Sequence, residues 1–175
     1  RNRRLERGKP ILQALDGLRI DTRIDLTAHE QEERFLEGTG SLVLDREARI
    51  AYACRSIRTH EALLDEFASR LAYRVLAFDA LDRQGGPIYH TNVMLSVGAK
   101  FAIVCLEAVA DRQERQRLVA QLQQSGKTRI AVRFSQMAAF CCNVLELCGA
   151  DGRQVYALAT RAWQAGNPAQ QARLS

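Results

Sequence analysis

The chain has 175 residues, 47% of them hydrophobic and 26% charged, and carries a net charge of +5. This is the composition of an ordinary soluble globular protein, and the length is enough for one domain with a real core. The longest apolar stretch, Phe101 to Leu106 continued by Ala-Val-Ala after Glu107, falls far short of the roughly 20 residues a membrane span needs. No signal peptide is visible, and the first residue is Arg rather than Met, so the chain reads as a piece of a longer protein or a processed product.

Much of the positive charge lies in RNRRLERG at positions 1–8. No aromatic residue interleaves with it to stack on bases. It reads as a solvated helix face, with Leu5, Ile11, Leu12 and Leu15 turned inward, rather than as a nucleic-acid or membrane footprint. Residues 35–46 read FLEGTGSLVLDR: an acid, Glu37, then glycines suited to a tight bend, then an apolar run suited to a buried strand. RIAYAC at 49–54 reads as a second strand. A helix is expected over 60–72, with Leu63, Leu64, Phe67 and Leu71 on one face and Thr59 as its N-cap. YRVLAF at 73–78 reads as a third strand. NVMLSV from Asn92 and KFAIVC at 100–105 are the next strand pair. A helix over 111–124 follows, capped by Asp111, carrying Leu118 and Leu122 one turn apart and ended by Gly126. TRIAVRF at 128–134 is its third strand. NVLELC from Asn143 and RQVYAL at 153–158 begin another such unit, which trails off after Trp163.

These elements repeat. RIAYAC and KFAIVC align at an offset of 51 residues, with Cys54 on Cys105, and NVMLSV and NVLELC align at the same offset. The organisation is a single α/β (α+β) domain built from ββαβ units over about 37–80, 88–134 and 141–175, the last incomplete. A mixed repeat of this length implies a ring-like array whose equivalent strand ends converge on a common centre. Glu37, His90 and Asn143 stand 53 residues apart in succession. The symmetry would therefore bring an acid, a histidine and an amide together. A carboxylate beside a histidine is the pair that orients an imidazole for proton transfer to and from a nucleophile or leaving group.

The five cysteines, Cys54, Cys105, Cys141, Cys142 and Cys148, form no CxxC pair and mostly sit in apolar runs. They suggest a reducing, cytoplasmic setting without a disulfide framework. The histidines lack ligand spacing, so no metal is expected.

Four ordered segments, EGTGSLVLD, ACRSIRT, YHTNVML and NVLEL, resemble the guanidino-group-modifying enzymes of the pentein superfamily. These include arginine deiminase, dimethylarginine dimethylaminohydrolase and the amidinotransferases; the nearest likeness is to the amidinotransferase-like branch that includes citrulline hydrolases. The resemblance covers nearly the whole chain. It implies a fivefold ββαβ propeller, of which about three repeats are present, and a catalytic Cys, His and acid acting without a cofactor on a small amino-acid substrate. The composition and the basic run give no nucleic-acid or membrane partner, and homo-oligomerisation is left open.

By this resemblance Glu37 is the catalytic acid, His90 the catalytic histidine, and Arg58 a holder of the substrate's amino-acid end. Their plainer roles would be a turn cap for Arg58 and a satisfied core histidine for His90. His29 and His60 match no motif and read as surface residues. Arginine deiminases have His-x-Asp where this chain has His90-Thr91-Asn92. A neutral amide at Asn92 suits a neutral ureido group, hence a citrulline-like substrate, with arginine still open. The family's nucleophilic cysteine segment and its N-terminal unit have no counterpart in the chain, so it is expected to be inactive alone; Cys141-Cys142 is the one in-chain rival. The resemblance thus points to a hydrolase of amidine or ureido C–N bonds. The alternatives are an amidinotransferase, in which an amine resolves the intermediate, and a non-catalytic binding protein of the same fold.

Overall fold

A computed structural model describes residues 8–174. Apart from Gly8, the basic run 1–8 lies outside them. Helix α1 (Lys9–Leu15) has no buried residue. Ile11 and Leu15 are exposed, contrary to the expected inward face, because residues 16–23 beyond it are themselves exposed and lay no element over it.

The first unit begins with a one-turn helix α2 (Gly38–Ser41), then β1 (Val43–Asp45), β2 (Ile50–Cys54), α3 (Glu61–Leu71) and β3 (Arg74–Phe78). β1 runs antiparallel to β2 and β2 parallel to β3, giving the order β1-β2-β3. β2 is central and buried throughout, as an apolar strand covered on both faces must be. Its alternation divides the core. Ile50, Tyr52 and Cys54 join the main cluster, while Ala51 and Ala53 face Leu64 and Phe67 of α3. The cap of α3 is His60, whose ring nitrogen accepts the Ala62 N–H, not Thr59. Thr59 is buried instead, in bridges to Leu36 and Ser56.

The second unit repeats the plan with β4 (Leu95–Val97), β5 (Phe101–Val104), α4 (Arg112–Gln124) and β6 (Thr128–Ala131). The order is β4-β5-β6, with the same antiparallel and parallel pairings. Asp111 caps α4 by accepting the Glu114 N–H at 2.7 Å, and Leu118 and Leu122 are buried. The strand expected from Asn92 is preceded by a 3-10 turn at Thr91–Val93. The strand expected over 128–134 stops early and gives way to α5 (Phe134–Ala138).

The third unit is a two-stranded hairpin of β7 (Leu145–Cys148) and β8 (Gln154–Ala157), followed by α6 (Thr160–Ala165) and α7 (Pro168–Gln171). Leu145, Leu147 and Val155 are exposed. The architecture is therefore mixed α+β with three small sheets, none of them closed. Among the described residues no helix is long and apolar enough to cross a membrane. All five cysteines are free, and all but Cys148 are buried.

Candidate active site

Glu37 enters the site from a short antiparallel contact. Its N–H donates to the Arg58 carbonyl at 3.2 Å, and the His60 N–H donates to the Phe35 carbonyl at 2.9 Å. The chain then turns through α2. Gly38 adopts φ +47°, a conformation costly for any residue with a Cβ. The turn is closed by Ser41, whose hydroxyl accepts the Glu37 N–H at 2.9 Å and donates to the Arg58 carbonyl at 2.7 Å.

His90 arrives from the second unit, directly before the 3-10 turn at Thr91–Val93. Its Nε2 lies 2.6 Å from Glu37 Oε2. The other carboxylate oxygen, Oε1, accepts from Arg58 Nη1. One carboxylate is thus gripped by an imidazole and a guanidinium, and both the Glu37 and His90 side chains are nearly buried. Burial pushes the Glu37 carboxyl up, but hydrogen bonds from His90 and Arg58 and their charges together outweigh it. The net effect holds the group below its ordinary value.

Gly40 makes this approach feasible. A Cβ there would sit 2.9 Å from both Cδ2 and Nε2 of His90. The imidazole thus occupies the space a side chain would need. Tyr89 packs edge-on against the His90 ring, with centroids 4.7 Å apart.

The structure brings Glu37, Arg58 and His90 together. Asn92 is half-buried on the same 3-10 turn and makes no side-chain hydrogen bond to a described residue. Asn143 does not join the group: it is exposed, and its N–H donates to the Phe140 carbonyl. His60 is exposed. His29 is not an idle surface residue, since its Nε2 lies 2.9 Å from Glu66 on α3. Ser41 and Thr91 were missed as parts of the site; a hydroxyl four residues after Glu37 and another directly after His90 were the available signals.

No cysteine hydrogen-bonds to Glu37 or His90 among the described residues. Desolvation pushes the Cys54, Cys105, Cys141 and Cys142 thiols up, Cys142 the most, and this disfavours the reactive thiolate. Cys148 is exposed, on β7. No three His, Cys, Asp or Glu side chains among the described residues gather as a ligand set for a metal.

Solved structures with this fold include the N-terminal domain of ArgZ bound to substrate, an arginine dihydrolase from the ornithine–ammonia cycle in cyanobacteria. It matches at a TM-score of 0.58 with 18% identity over 79% of this chain and 46% of that one. The same domain of ArgZ covalently bound to a reaction intermediate matches at 0.53 with 21% identity, over 63% of this chain and 39% of that one. AgrE in complex with L-arginine matches at 0.53 with 22% identity, over 63% of this chain and 16% of that one. At these identities the likeness establishes the fold, and the chain spans less than half the length of each of these proteins. No curated protein matches the chain. The model of the family described as eukaryotic N,N-dimethylarginine dimethylhydrolase matches residues 1–175. The chain therefore belongs to the dimethylarginine dimethylhydrolase family, among the guanidino-group-modifying enzymes of the pentein superfamily.

Proposed function

We propose that these residues supply the acid–histidine half of a hydrolase that cleaves a C–N bond in the guanidino or ureido group of an arginine- or citrulline-like amino acid. The observation that carries the reading is the 2.6 Å contact between Glu37 Oε2 and His90 Nε2, in a chain of this family. The three sheets are then successive blades of a five-bladed ring, with units at about 37–80, 88–134 and 141–175.

In this reading Glu37 stays ionised, orients the imidazole and stabilises its charged form. With Nε2 held by Glu37, Nδ1 is the nitrogen that exchanges protons. A cysteine thiolate from outside these 175 residues attacks the central carbon of the substrate group and forms a C–S bond. The C–N bond breaks, and His90 donates a proton to the departing amine. Water then adds to the same carbon, giving a proton back to His90 as the C–S bond breaks. Four of the chain's own thiols are buried and held in the neutral form, which supports an outside nucleophile.

Arg58 braces Glu37 through one nitrogen and keeps the rest of its fork for the substrate's carboxylate. Asn92, neutral and making no side-chain hydrogen bond to a described residue, suits a ureido group better than a guanidinium. Introducing Asn92→Asp in the complete protein should shift kcat/KM toward guanidino substrates by about tenfold or more.

Mass spectrometry of the complete protein with L-arginine, dimethylarginine or L-citrulline tests the whole reading. A covalent adduct on a cysteine outside these residues is expected, with turnover lowered about 10²–10⁴-fold by His90→Ala. Full turnover by His90→Ala, or hydrolysis by the 175-residue chain alone, would overturn it.

A further inference from the structure

Thr91 is a fully buried polar residue that plays no part in the chemistry proposed above. Its hydroxyl donates to the Ser41 carbonyl at 2.6 Å and accepts the Cys54 N–H at 2.8 Å. Cys54 Sγ lies farther off, at 3.3 Å from the same hydroxyl, and donates to the Ile88 carbonyl. The single hydroxyl therefore joins three segments: the end of α2, the end of β2 and the 3-10 turn that begins at Thr91 itself.

Two of those segments carry the reacting pair. Ser41 closes the turn that starts at Glu37, through the hydroxyl contacts described above. His90 is covalently next to Thr91. The Thr91–Ser41 bond is thus a cross-tie, one residue from the imidazole at one end and one turn of helix from the carboxylate at the other. It is the shortest hydrogen bond between the two units that does not itself involve Glu37. The equivalent position of the third unit, 51 residues on, is Cys142, buried among apolar residues and lacking a hydroxyl. The repeat alone does not demand a hydroxyl here.

We infer that Thr91 is a positioning residue that sets the distance between Glu37 and His90 through its hydroxyl. The inference rests on the reading of Glu37 and His90 as the working pair. Without the tie, α2 and the 3-10 turn separate by the slack that two lost hydrogen bonds allow. The Glu37–His90 contact then lengthens even though both side chains remain. Among the described residues the charged groups hydrogen-bonded to Glu37 are His90 and Arg58, so a looser His90 contact removes one of the bonds that hold its carboxyl down. The carboxyl should then titrate at higher pH.

The test uses the complete protein and two NMR readouts: the pH titration of the Glu37 carboxyl carbon, and the downfield proton signal of His90 Nε2–H. In Thr91→Val, which keeps the shape and removes the hydroxyl, the titration should move up and the Nε2–H signal should broaden or vanish. Thr91→Ser keeps the hydroxyl and should leave both readouts unchanged. A merely structural role would lower the melting temperature of Thr91→Val and leave both signals of the folded molecules in place, which would overturn the inference. If Thr91→Val does not fold, Thr91→Ser decides: unchanged signals support the tie, and shifted ones overturn it, because the hydroxyl would still be present. Glu37→Gln separates the two levels. If the Nε2–H signal survives that change, the pairing itself fails. If it is lost in Glu37→Gln and kept in Thr91→Val, only the role of Thr91 fails.

Discussion

Two ionic clusters lie beyond opposite ends of β1, and they are built differently. Past its first residue, Glu37 meets His90 and Arg58, and the Arg58 side chain is 36% exposed. At its last residue, Asp45 meets Lys127, and those two side chains are 1% and 2% exposed. Lys127 Nζ lies 3.3 Å from Asp45 Oδ1, 3.4 Å from Glu47 Oε2 and 2.8 Å from the Ala99 carbonyl. Both clusters tie the first unit to the second. The first cluster includes a histidine and the partly exposed Arg58; the second has no histidine, and only Glu47 at its rim, 73% exposed, reaches solvent. The buried Asp45–Lys127 pair joins the two sheets, while the Glu37 cluster holds the groups proposed above for proton transfer. A buried charge pair is by itself weak evidence of function.

Removing one partner from the buried pair should have the largest effect on stability. Lys127→Met leaves the buried Asp45 carboxyl without its cation, with only the Ala48 N–H at 3.1 Å on Oδ1 among the described residues, at a cost of about 3–5 kcal/mol. Urea unfolding should show that loss, while the Glu37 carboxyl titrates as before. A shift in the Glu37 titration would mean that the two clusters are coupled and the contrast between them is wrong.

Glu37→Gln should cost less, about 1.5–3 kcal/mol, the range for hydrogen bonds to charged groups. Its signature is pH dependence. The folded carboxyl is held below its ordinary value, so its contribution is complete above the unfolded value and fades as pH falls through the folded one. The stability gap between the native chain and Glu37→Gln should therefore be widest near neutrality and shrink as pH falls through and below the ordinary carboxylate range. A gap that stays constant, or grows in acid, would contradict the pairing.

The difference between the clusters also governs what could be read in advance. The 53-residue spacing of Glu37 and His90 follows from the ββαβ repeat, and the alternation of β2 from the two-residue period of any strand. The acid and the histidine were accordingly legible, and they meet. Asn143 shares the spacing and does not meet them, because its unit has only two strands and its side chain lies at the surface. The cross-ties were not legible. Ser41 and Thr91 act through backbone carbonyls and amides, and no spacing of residue types records which carbonyl a hydroxyl will find. α2 was read as a bend, since GTGS has poor helix propensity; the Leu42 N–H to Gly38 carbonyl bond at 2.9 Å closes the turn regardless. Lys127 and Asp45 sit 82 residues apart, with nothing local to pair them. The apolar residues of α1 have helical spacing but no layer to bury them, so periodicity alone overstated the core.

The smallest change in stability should come from Gly40→Ala, and it probes the Glu37 cluster most sharply. Gly40 lies inside α2 with no positive φ, so alanine fits the backbone and gains about 1 kcal/mol of helix propensity. Against that stands a Cβ at 2.9 Å from the His90 ring, an overpacking of about 1–3 kcal/mol. The net loss should be about 1 kcal/mol by urea unfolding. The ring has one cheap escape, rotation away from the new methyl, and that rotation withdraws Nε2 from Glu37. Gly40→Ala should therefore unfold almost like the native chain yet lose the Nε2–H proton signal. Lys127→Met should do the reverse, losing several times more stability and keeping the signal. If Gly40→Ala retains the signal, His90 is held by its packing rather than by the carboxylate, and Glu37 does not orient it.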